Sequence, residues 1–161
     1  MRWEAFRRRG DDRPHHVATR ILRAAKVREP AVNVELLLGW LGVRVERRPE
    51  PGWECALDSR VTPPIVWVNE SRPHTRQRFS MAHALGHLLL GPEEGVVVRD
   101  ATFAPGEDRH ERDVNDFTTG LLVPLWMLEP IVTSRRLSTA ALAALFQVSQ
   151  GAMGMQLEKL L

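Results

Sequence analysis

Residues 78–87 read "RFSMAHALGH" and decide how the rest of the chain is understood. Phe79, Ala82, Leu85, Gly86, Leu89 and Leu90 surround two histidines, His83 and His87, in a run that predicts a helix over 75–90. A helix turns once in about 3.6 residues, so imidazoles four apart leave the same face and are close enough to share one ion. So little polar surface remains that the helix is expected in the core, where a polar ring needs a partner. A divalent metal is one such partner and backbone carbonyls are another. Zinc takes a histidine pair of this kind with a third protein ligand, keeping one position for water. Spacing alone is a weak signal, because the 161 residues hold six histidines.

Upstream, the pattern is helical and then extended. "HHVATRILRAAKV" places Val17, Ile21, Leu22 and Ala25 on one helical face. "NVELLLGWLG" predicts a second helix, with Asn33 as its N-cap and Gly42 as its terminator. "VRVERR", "WECALD" and "PIVWVN" predict three strands, the first closed by a turn at "PEPG". The third is a short apolar run, as in a strand covered on both faces. Downstream, "GPEEG" ends the histidine helix, and "VVVR" and "ATFA" are strand or loop. A helix with Val114, Phe117, Leu121 and Leu122 as its apolar positions follows, interrupted by Pro124. The remainder is mostly helical, with Ser138 and Ser149 as N-caps of its last two helices.

A third ligand has to come from another element, and "EDRHERD" gathers Glu107, Asp108, Glu111 and Asp113. Asp113 lies beside Val114 and one turn before Phe117, at the border of the apolar face. Glu111 points about 200° away from Asp113 around a helix, so a helix that begins before residue 111 favours Asp113. An acid in a first turn also complements the helix dipole without binding anything. His110 is an alternative ligand.

The segments that carry this constellation resemble, in order, the ImmA/IrrE family of zinc metallopeptidases. "RQRFSMAHALGHLLL" is similar to the family's R-Q-R-F-[ST]-x-A-H-E-L-G-H-[LI]. "ERDVNDFTTGLLVP" is similar to its E-x-E-A-N-x-F-A-x-x-L-L-x-P. "PIVWVN" resembles the preceding strand, and the closing "LSTAALAALFQVSQGAMGMQLEKL" the family's tail. The resemblance spans about residues 17–160. It implies an α+β fold, a small zincin-like sheet packed against an active-site helix, with a helical C-terminal extension. By the same resemblance Zn2+ is the cofactor, His83 and His87 are ligands, and Asp113 stands where the family carries its third, carboxylate ligand. Asn115, Phe117 and Pro124 match structural positions. The partner it implies is a protein, a helix-turn-helix transcriptional repressor, cleaved in mobile-element, stress or toxin–antitoxin settings.

Ala84 departs from the motif at the glutamate that accepts a proton from water and passes it to the leaving amine. A methyl group does neither, and positioned acid–base groups contribute about 10²–10⁴-fold. Metal binding does not depend on that glutamate, so the chain as written is expected to hold zinc and hydrolyse little. An alanine introduced to prevent cleavage and a natural pseudopeptidase that sequesters a repressor both fit.

Composition is consistent with this reading. With 43% hydrophobic and 26% charged residues and a net charge of +2, the chain is globular and near neutral. It shows no apolar stretch of about 18 residues and no secretory h-region, and Cys55 is its only cysteine, so a cytoplasmic protein without disulfides is expected. Residues 1–28 carry nine Arg or Lys against three acids, which reads as a solvated basic arm. The expected organisation is an arm at 1–16, a metallopeptidase domain at 17–134 and a helix-turn-helix-like extension at 135–161. That extension's second helix carries no Arg and only Lys159 near its end, so direct binding of nucleic acid is not expected.

Overall fold

The computed structural model describes residues 2–49, 52–91, 96–100 and 108–161. A short 3-10 helix, Arg2–Phe6, precedes α1 (Pro14–Ala24) and α2 (Val34–Leu41). Strands β1 (Arg44–Arg48), β2 (Trp53–Asp58) and β3 (Ile65–Asn69) lead into the long α3 (His74–Leu90). After β4 (Val96–Asp100) come α4 (Arg109–Leu122), α5 (Leu125–Ser134), α6 (Thr139–Phe146) and α7 (Gln150–Glu158). The α+β class holds. Residues of "PEPG" and all of "ATFA" fall outside the described residues.

Local chemistry sets the helix ends where the sequence places them. Asn33 accepts from the Leu36 amide, and Gly42 closes α2 in the left-handed region at φ 81°. Ser138 accepts from Ala141 and Ser149 from Ala152, satisfying amides that a first turn leaves unpaired. Pro124 lies between α4 and α5 as the N-cap of the latter.

The sheet has the order β1-β3-β2-β4. β1 pairs parallel to β3, with Val45 opposite Val66, while β2 runs antiparallel to both β3 and β4. α3 lies against β2 and β3 and is flanked by α2 and α4. Every residue from Ser80 to Leu90 is buried, which is why this helix shows almost no amphipathic pattern.

Two segments read as peripheral are packed into this body. Trp3 is buried in the main hydrophobic core, and the Phe6 and Trp40 rings meet at 5.9 Å. The guanidinium of Arg2 lies over Trp40 and that of Arg7 over Trp3. Two arginines expected in solvent thus cover tryptophans, a cation–π arrangement that a charge count does not register. At the other end, Gln156 donates to the carbonyls of Val123 and Thr119, and Phe146 and Met153 are fully buried. Arg78 of α3 completes the tie by donating to the carbonyls of Val32, Phe146 and Gln147. No single helix among the described residues is long and apolar enough to cross a membrane.

Candidate metal centre

α3 presents His83 and His87 from successive turns, as the four-residue spacing requires. Their ring centroids are 4.9 Å apart and their Nε2 atoms 3.2 Å apart. His83 is 1% and His87 7% exposed, so both rings are withdrawn from water. The carboxylate that meets them belongs to Glu111 of α4. Its Oε1 lies 3.0 Å from Nε2 of His83 and its Oε2 3.4 Å from Nε2 of His87.

Asp113, the expected third ligand, is elsewhere. Its Oδ2 accepts from Nη2 of Arg8 at 2.7 Å. Helix phase explains the difference. α4 begins at Arg109, before residue 111, as the choice of Asp113 assumed. The buried stripe of α4, however, is centred on Val114 and Thr118 as well as Phe117 and Leu121. Glu111 stands three residues before Val114 and seven before Thr118, which places it on that stripe; Asp113 falls about 100° to one side. Asp108, the N-cap, fixes the start of the helix by accepting from the Glu111 amide at 2.7 Å. The pair Asp108-x-x-Glu111 is a capping signature legible in the sequence, and it could have directed attention to residue 111.

Close contact between α3 and α4 brings the three groups together. A Cβ at Gly86 would lie 3.0 Å from both Phe117 Cδ1 and Val114 Cγ1, so the glycine admits α4 directly beside the histidines. Nε2 of His110 lies 3.4 Å from Nδ1 of His87, outside the trio. Phe79 stacks on His83 with centroids 6.1 Å apart. Ala84 is 2% exposed on the same helix. One turn from the trio on both helices, Ser80 of α3 and Asn115 of α4 line a cavity of about 690 Å³ that reaches Ala152 and Met155 of α7.

His83, His87 and Glu111 each offer a ligand atom, all within 4.8 Å of one another. The separations of 3.0–3.4 Å among nitrogen and oxygen match the edges of a tetrahedron built on bonds of about 2.0–2.1 Å. Two buried imidazoles and a carboxylate are a zinc donor set, and the residues present fit the ion.

The family model for the IrrE N-terminal-like domain of the M78 peptidases matches residues 40–158. The chain belongs to this family. The M78 family comprises zinc metallopeptidases, and the match spans α3 and α4, the helices that supply the trio. No curated protein matches the chain closely enough to count as a relative. The α1 helix and the 3-10 helix before it lie outside the span matched to the M78 model.

Proposed function

We propose that the chain is a zinc metallopeptidase-type protein in which His83, His87 and Glu111 hold the ion and Ala84 leaves the site without its proton acceptor. The convergence of three ligand atoms in a buried site, in a member of this family, carries the reading. When bound, zinc supplies Lewis-acid polarisation of a carbonyl and makes water a stronger nucleophile at neutral pH. The protein's part is to hold the donors. Nδ1 of His87 lies 3.4 Å from Nε2 of His110, and the His87 tautomer protonated at Nδ1 leaves its Nε2 lone pair for the ion, the outer-partner arrangement that orients a ligating imidazole. Phe79 stacks on His83 at a centroid distance of 6.1 Å and lends that ring an apolar neighbour.

Proton transfer is the missing function. Ala84 follows the first histidine and offers a methyl group where water must lose a proton. The substrate class, carried from the family, is a helix-turn-helix repressor, and the cavity beside Ser80 and Asn115 is the place for its chain. An intact donor set beside an absent base also supports a second reading: a pseudopeptidase that binds and sequesters such a repressor, alone or in a toxin–antitoxin pair. In either case zinc organises the site.

Elemental analysis of the purified protein tests the common part. One zinc per chain is expected. It is lost in His83→Ala and in Glu111→Ala, and retained at excess metal in Asp113→Ala. Stoichiometric zinc in Glu111→Ala would reject the ligand set.

A further inference from the structure

The three proposed ligands stand on two helices, His83 and His87 on α3 and Glu111 on α4, and one residue touches both helices at matching places. The backbone amide of Arg8 donates to the carbonyl of Leu89 at 2.9 Å, two residues past His87. Its side chain donates to Asp113 at 2.7 Å, two residues past Glu111. Leu89 belongs to the last turn of α3, whose carbonyls have no partner within the helix. Asp113 belongs to the second turn of α4. Arg8 thus spans the two ligand-bearing helices through one main-chain and one charge-assisted bond, the latter between groups only 21% and 24% exposed.

We infer that Arg8 is a positioning residue that sets the separation of the two histidines from Glu111. The inference rests on the metal reading above. The packing at Gly86 holds α3 and α4 in contact but is apolar, and apolar contact fixes distance better than it fixes sliding along the helix axes. A directed bond to each helix removes that freedom. The segment that carries Arg8 is itself anchored. Trp3 is buried in the core, and α1 packs backbone-close on α4, where a Cβ at Gly120 would lie 3.1 Å from His15 Cβ and 3.3 Å from its Cα. This clip lies outside residues 40–158, so a part of the chain beyond the family match supports the ligand set. Only Nη2 of Arg8 bonds Asp113, and its buried Nε has no hydrogen-bond partner among the described residues. A single-point contact of this kind is one that lysine can replace.

Titration of the full chain with Co2+ followed by visible absorption reads affinity and ligand geometry together. The unmodified chain is expected to bind one ion. Arg8→Ala is expected to weaken binding about ten-fold and to change the d–d absorption envelope, as loss of an outer support does. Arg8→Lys should restore both. Arg20→Ala breaks the 2.6 Å bond to Asp12 in the same segment and should leave both unchanged. An Arg8→Ala protein with unaltered affinity and spectrum overturns the inference, as does an equal loss in Arg20→Ala. Where Arg8→Ala fails to fold, Asp113→Asn removes the charge alone and is judged by the same two readouts. An unmodified chain that takes up no cobalt overturns the metal reading itself, a result distinct from any difference between variants.

Discussion

Glu111 and Asp113 stand two residues apart on α4 and serve different structures. Glu111 meets both imidazoles at 3.0 and 3.4 Å, while Asp113 accepts from Arg8 at 2.7 Å. About 200° of helix rotation separates a group facing the site from a group facing the N-terminal segment. The donor set depends on how two helices are phased against each other, and several consequences can be measured.

Placing a carboxylate at position 84 should confer hydrolysis. Zinc-loaded Ala84→Glu is expected to cleave a fluorescence-quenched casein at least about 10²-fold faster than the chain as written, the low end of what a positioned base contributes. Equal rates in the two proteins would favour the pseudopeptidase reading.

Gly86 should not accept a side chain. A methyl group there meets Phe117 and Val114 at 3.0 Å, closer than a Cβ normally sits, and both side chains are fully buried. Overpacking costs about 1–3 kcal/mol, against about 1 kcal/mol gained from helix propensity. Gly86→Ala should therefore lose about 1 kcal/mol by urea unfolding. Zinc affinity should fall with it, since the same contact seats Glu111.

Arg78 ties the last helical pair to α3. It is 5% exposed and donates to three carbonyls on two other segments, and burial pulls its pKa below the usual arginine value. Arg78→Met keeps the stem but strands those carbonyls, so a loss of about 3 kcal/mol or more is expected. A urea midpoint within error of the starting protein would show that the Arg78 bonds are not what holds α6 and α7 in place.

The Glu35–Arg47 pair makes a small contribution that acid removes. Two bonds of 2.9 and 2.7 Å from Arg47 hold the Glu35 carboxyl below its usual value of 4.5. A depressed folded-state pKa gives stability that is present above 4.5 and is lost as pH falls through the folded value. Both groups are exposed, so the amount is about 0.5 kcal/mol. Glu35→Gln should flatten that part of the acid limb of stability, read by urea unfolding from about pH 6 down to about pH 3. An unchanged limb would assign the acid loss to other carboxylates.

Much of this architecture is written locally. The helix bearing His83 and His87 follows from an apolar run with no breaker, and Asn33, Ser138 and Ser149 cap helices because their side chains reach an amide three residues on. The alternation of "VRVERR" and the short apolar run of "PIVWVN" mark β1 and β3 for the same reason: each signal is complete within a few residues. What the sequence by itself determined was therefore the elements, the histidine pair on one face and an alanine, not an acid, at position 84. Only the tertiary structure decided which carboxylate joins that pair, and that Trp3 and Arg8 belong to the body rather than to a solvated arm. Those outcomes depend on the rotation of α4 against α3 and on contacts between residues 105 apart in the chain, and no pattern within one segment encodes either.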